Sequence, residues 1–149
     1  MNYVEDHALP YVTDPSNSDT AYDRNWIRHC LWPMIMDRNP IADINVLKTM
    51  AIQDETSELI SDLAEIDLER CTNSDGSLDW FKLKELSSHR LKNLFMHICN
   101  KMGSVDIKTK QIEMFVSGLR TATLDSKNEM SLNSVRVYKL GKRVFVETI

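Results

Sequence analysis

Apolar residues recur along this chain first with the period of a helix and only near its end with the period of a strand. The first 22 residues show neither. Pro10, Pro15 and the run Asp14-Pro15-Ser16-Asn17-Ser18-Asp19 concentrate turn formers, which predicts a loop. Asp19 or Thr20 is placed to cap a helix over Tyr22 to Met36, which Pro33 limits or kinks. Asn39-Pro40 restarts the chain, and nothing interrupts the pattern from Ile41 to Arg70, so one long helix is expected there. Along it Ile52, Thr56, Leu59, Leu63 and Ile66 form a stripe expected to be a packing seam. Asp54, Glu55, Glu58, Asp62, Glu65, Asp67 and Glu69 fall outside the stripe and are expected to face water.

Cys71 to Ser77 reads as a turn, and Leu78 to Leu86 as a short helix, or as an extended segment followed by a helical turn. Ser87 or Ser88 opens the clearest helix, with Leu91, Leu94, Phe95, Ile98 and Met102 on its inner face and Gly103 at its end. Ile107 or Lys108 opens another, which buries Ile112, Phe115, Val116 and Leu119 and runs to about Ala122. After a polar stretch from Asp125 to Glu129 the period becomes two. Val135 and Val137, then Val144 and Val146, alternate with Arg136, Tyr138, Arg143 and Phe145 around a turn at Leu140-Gly141, as in a β-hairpin. The expected fold is mostly α: a helical domain over 23–149, with one long helix, two to three shorter ones and a C-terminal β-hairpin, preceded by the loop 1–22.

Composition narrows the function. The 149 residues, 42% hydrophobic and 27% charged, fit one ordinary globular domain that needs no metal or disulfide. The longest apolar stretch, Cys30 to Met36, contains a proline, so no membrane span is expected. Glu5 and Asp6 stand where a signal peptide carries lysines, so a cytoplasmic location is expected. Cys30, Cys71 and Cys99 are too scattered for a disulfide framework or a zinc site, and their thiols are expected to be buried or idle. His29 and His97 lack the companions that metal or nucleophile chemistry needs, so metal and catalytic residues are both expected to be none. Of Trp26 and Trp32, at least one is expected in the core. The four glycines, Gly76, Gly103, Gly118 and Gly141, are far apart, so the chain offers no cluster of turned amides to cradle a phosphate. No ATP or dinucleotide site built by this polypeptide alone is expected.

Charge points to a partner. Residues 1–75 hold 5 Lys and Arg against 15 Asp and Glu, while residues 76–149 hold 13 against 7. Either solvated faces simply differ in sign or the basic half meets an anion. Arg24 and Arg28, four apart on one helix, repel unless something negative lies nearby. Asp14, Asp19 or Asp23 could supply that charge, or the pair could recognise phosphate, which guanidinium does bidentately. Arg136, Lys139, Lys142 and Arg143 gather around the hairpin turn. They form either a ribbon that tracks a nucleic-acid backbone or a solubilising edge.

Asp14-Pro15-Ser16-Asn17, followed after a short gap by Arg24-Asn25-x-x-Arg28 and Pro33, resembles the tRNA(Ile)-lysidine synthase family. In that family an Asp-x-Ser-Asn turn and an Arg-Asn-x-x-Arg helix close the catalytic domain and lead into a helical domain. The resemblance implies an ATP-dependent ligase, with magnesium, that adenylates the wobble cytidine of an isoleucine tRNA and lets lysine displace AMP. It implies that Asp14, Ser16 and Asn17 shape a turn beside the catalytic cleft. Arg24, Asn25 and Arg28 would face that cleft and hold nucleotide or tRNA. The family's PP-loop, Ser-Gly-Gly-x-Asp-Ser, has no counterpart here, since the chain contains no Gly-Gly pair. The expectation is therefore a fragment from the middle of such an enzyme, with 1–22 ending a PP-loop domain and 23–149 supporting tRNA binding. It would be inactive and without a cofactor on its own, and able to self-associate. The competing expectation is a non-enzymatic helical interaction module that uses the seam of residues 52–66.

Overall fold

The computed structural model describes residues 7–8, 14–103, 107–132 and 134–149. It divides into two units, Met1–Gln53 and Asp54–Ile149. Of the expected loop 1–22, residues 1–6 and 9–13, Pro10 among them, lie outside the described residues.

In the first unit a 3-10 turn, Pro15–Ser18, leads into α1 (Asp23–Trp26), a wide π turn (Ile27–Leu31) and α2 (Trp32–Arg38). The helix therefore runs past Pro33 to Arg38. A proline ring presses on the carbonyl four residues back, here that of His29, and the wide turn falls where that carbonyl lies. Neither Asp19 nor Thr20 caps the helix: it starts after Tyr22 without a side-chain cap, and Asp19 Oδ1 instead accepts from Ala21 N at 2.9 Å. Neither tryptophan is core, Trp26 being exposed and Trp32 half-buried. Asn25 and Ala42 are the buried residues among those described in this unit. The long helix, α3, spans Ala42–Cys71, one residue displaced at each end from the expected range.

The second unit holds the core. β1 (Leu78–Asp79), α4 (Trp80–Glu85), α5 (Ser88–Lys101), α6 (Thr109–Thr121), β2 (Asn128–Leu132), β3 (Val135–Leu140) and β4 (Arg143–Thr148) follow in order. The strands form one antiparallel sheet in the order β1-β4-β3-β2. Its inner face, with Met130, Leu132, Val135, Val137 and Val144, packs with Leu91, Leu94, Phe95, Ile98, Ile112, Phe115, Val116 and Leu119 of α5 and α6. Those helical residues are the ones the period predicted; Met102, also expected inside, is half-buried beside the cluster. Phe95 meets Phe115 edge to face at 5.1 Å, and Trp80 Nε1 donates to Leu119 O at 3.2 Å. The expected hairpin is present, turning through Gly141 at φ +57°, a conformation glycine adopts without a Cβ penalty.

β2 falls at the end of the stretch read as polar. Met130 and Leu132 alternate with Glu129 and Ser131 and pair with Val137 and Val135 of β3. Asn128 Nδ2 donates to Phe115 O at 2.9 Å, and a Cβ on Gly118 would come within 2.8 Å of the Asn128 amide, so β2 lies against α6 where a glycine leaves room.

Two expectations for α3 are overturned. The proposed seam is exposed: Ile52, Leu59 and Ile66 are 61%, 69% and 59% accessible. The packed face is instead Ala64, Asp67 and Cys71, with Leu68 half-buried. Asp67, read as facing water, is fully buried, because Arg90 of α5 clasps it with both ends of its guanidinium (Nε to Oδ2, 2.9 Å; Nη2 to Oδ1). Asn93 Nδ2, donating to Ile60 O at 2.7 Å, fixes the same approach of α5.

Candidate nucleic-acid interface

The motif turn is built by local hydrogen bonds. Asp14 Oδ1 accepts from Ser16 N at 2.9 Å, and these bonds from Ser16 hold the Asp14 carboxyl below its usual pKa. Asn17 N donates to Asp14 O at 3.0 Å, and Ser18 Oγ to Pro15 O at 3.0 Å. Asn25 then ties turn to helix: its Nδ2 donates to Ser16 O at 2.7 Å and Asp19 O at 2.9 Å. His29 adds a second tie, Nε2 to Asn17 O at 3.0 Å. Asn25 is 1% exposed, so its amide serves the turn, and its Oδ1 has no hydrogen-bond partner among the described residues. Asn25 was expected to face the cleft with Arg24 and Arg28; among the described residues its Nδ2 is engaged inward, on the Ser16 and Asp19 carbonyls.

Arg24 and Arg28 are exposed and form no ion pair among the described residues. Among the described residues neither forms an ion pair with Asp14, Asp19 or Asp23. A shallow cavity of about 340 Å³ is lined by Ser16, Tyr22, Asp23, Arg24 and Asn25.

The hairpin cations behave otherwise. Lys139 is 2% exposed; its Nζ donates to the carbonyls of Thr123 (2.7 Å), Leu124 (3.0 Å) and Ser126 (3.2 Å) and sits 4.5 Å from the centre of the Trp80 ring. Burial pushes its amine pKa down. Lys139 is thus the clamp that closes the α6–β2 connection, and it is withdrawn from the expected phosphate-binding set. Arg136 holds Glu129 bidentately at 2.8 and 3.1 Å, which lowers the Glu129 carboxyl. Arg143 Nη1 reaches Asp75 Oδ2 at 2.5 Å, and Asp75 also accepts from Ser77 Oγ at 2.6 Å. Those Ser77 bonds, with Arg143 a smaller contributor, lower the Asp75 carboxyl.

Lys142 is the exposed hairpin cation without an acidic partner among the described residues. Its Nζ is 5.8 Å from the Phe81 ring, which is half exposed, and Lys84 Nζ is 4.8 Å from the Trp80 ring. Phe81 and Lys84 were not anticipated; the run Trp80-Phe81-Lys82-Leu83-Lys84, two aromatics followed by two lysines, was the signal. On the outer sheet face Tyr138 and Phe145 stack at 5.4 Å, with Arg136 over Tyr138 at 4.9 Å. Among the described residues no three His, Cys, Asp or Glu side chains converge to hold a metal, and no helix is long and apolar enough to cross a membrane.

No family model matches the chain. Curated relatives do. A tRNA(Ile)-lysidine synthase of Alkalilimnicola ehrlichii is 42% identical over 95 residues, which cover 64% of this chain and 21% of that protein. One from Hydrogenovibrio crunogenus is 34% identical over 120 residues, 80% of this chain and 26% of that protein. One from Legionella pneumophila is 23% identical over 145 residues, 97% of this chain and 34% of that protein. This chain is related to the tRNA(Ile)-lysidine synthases. It spans only about a fifth to a third of the length of these lysidine synthases, and the Legionella match extends over nearly all of it.

Proposed function

We propose that this chain supplies part of the tRNA-contacting surface of a tRNA(Ile)-lysidine synthase, the ATP-dependent ligase that attaches lysine to the wobble cytidine of isoleucine tRNA. The observation that carries the reading is the pair Arg24 and Arg28: exposed, without acidic partners among the described residues, and presented on a helix that Asn25 and His29 lock to the Asp14–Asp19 turn. Two guanidinium groups so placed bind phosphate oxygens better than they bind one another. Lys142, with Phe81 and Lys84 beside it, forms a second contact, where an exposed ring can stack on an unpaired base and the lysines follow the backbone. ATP and its magnesium are not assigned to these residues, whose glycines are too dispersed to form a phosphate cradle.

The test is titration of the chain with isoleucine tRNA at several salt concentrations. Affinity falls steeply as salt rises, and the slope of log K against log salt loses about one unit for each of Arg24→Ala and Arg28→Ala. Absent binding at low salt, or slopes unchanged in both variants, contradicts the reading.

A further inference from the structure

The Asp54–Ile149 unit carries a surface that phosphate binding does not use. Along α3 Leu59, Ile60, Leu63 and Ile66 are 69%, 47%, 37% and 59% exposed. At the angular step of an α-helix, Leu59, Leu63 and Ile66 fall within a sector of about 60°, and Asp54, Glu55, Glu58, Asp62 and Glu69 within an adjoining sector of about 100°. The acids thus bank one side of the apolar stripe. None of these five forms an ion pair among the described residues, and no lysine or arginine occurs between Lys48 and Arg70.

On the stripe's other side a groove of about 620 Å³ runs between α3 and α5, and Ile60, Leu63 and Met96 contribute to its wall. The cations at that wall are already engaged, Arg90 with Asp67 and Lys92 with Glu113 at 2.6 Å. The uncompensated charge beside the stripe is therefore negative. A nucleic-acid backbone is repelled from it.

We propose that this face is a docking site for a basic amphipathic helix of a protein partner. The partner's apolar side chains lie on Leu59, Leu63 and Ile66, and its lysines and arginines run along Glu55, Glu58 and Asp62. Helix-in-groove recognition supplies the apolar contact, and the one-sided acid bank sets the sign of the partner and its orientation.

The experiment uses the full chain and three synthetic peptides of equal length: an amphipathic Leu/Lys helix, its Leu/Glu counterpart, and a scrambled Leu/Lys sequence without a helical stripe. Fluorescence anisotropy is expected to show saturable, salt-sensitive binding of the first peptide only. The combined variant Glu55→Lys, Glu58→Lys, Asp62→Lys is expected to weaken it at least about tenfold, as is Leu59→Asp alone, with helical circular dichroism unchanged. No binding of the first peptide, equal binding of the scrambled one, or undiminished binding to both variants overturns the proposal. So does sedimentation showing that a second copy of the chain occupies the face and excludes the peptide. tRNA affinity in the charge-reversal variant does not decrease, which keeps this test separate from that of the proposed function.

Discussion

Two clusters of cations look alike in the sequence and differ in the structure. Around the hairpin, Lys139 is sunk onto three carbonyls while Arg136 and Arg143 are each spent on a carboxylate; beside the motif turn, Arg24 and Arg28 stand exposed without acidic partners among the described residues. Basic residues near one another are therefore not a binding site until their partners are known. The hairpin cations mainly hold the chain together, whereas the motif arginines are open to an outside anion.

The largest loss is expected where a charge is structural. Arg90→Ala strands the buried Asp67 carboxylate and is expected to lower the urea midpoint well beyond what loss of an exposed pair such as Arg70–Glu85 does. Lys139→Met leaves three carbonyls without their donor and is expected to cost about 2 kcal/mol in the same assay, with tRNA affinity unchanged once the fold is intact. Should Lys139→Met leave stability untouched but weaken tRNA binding, the division between the clusters is wrong.

A pH series sharpens it further. Asp14, Asp75 and Glu129 all have carboxyl pKa values lowered by their native partners. The sign follows from linkage: the stabilisation is complete above the ordinary carboxyl pKa of about 4 and is lost as pH falls through the lowered folded values. The unfolding midpoint is accordingly expected to be insensitive to these groups between pH 7 and 5 and to drop below pH 4. The smallest effects concern thiols. Burial raises the Cys71 thiol and pushes that of Cys99 up to about 11, so a thiol reagent at neutral pH is expected to modify half-buried Cys30 first. Faster modification of Cys99 would contradict the packing of α5.

Much of this was legible from periodicity. The inner faces of α5 and α6 and the hairpin follow from spacing alone, because each buries a continuous apolar stripe against its neighbours. Even Lys139 was readable: it shares the parity of Val135 and Val137, so a period of two turns it inward, but its charge argued for the surface. The face of α3 was not readable. Its most regular apolar stripe is open, and the packed side is written in a small residue, Ala64, and in an acid, Asp67, whose complement lies 23 positions away in Arg90. β2 was hidden because two apolar residues are too few to announce a strand without β3 beside them. In the motif, the residues of the turn and helix were recognisable, but the inward use of Asn25 depends on carbonyls six and nine residues before it.

Which cations meet phosphate decides the role of each cluster. The direct measurement is the salt dependence of tRNA binding for the unaltered chain, for the Arg24→Ala, Arg28→Ala double variant, and for Lys142→Ala. The slope is expected to be about two units shallower for the double variant and at most about one unit shallower for Lys142→Ala. A double variant that binds tRNA with the unaltered slope would mean that Arg24 and Arg28 meet no phosphate.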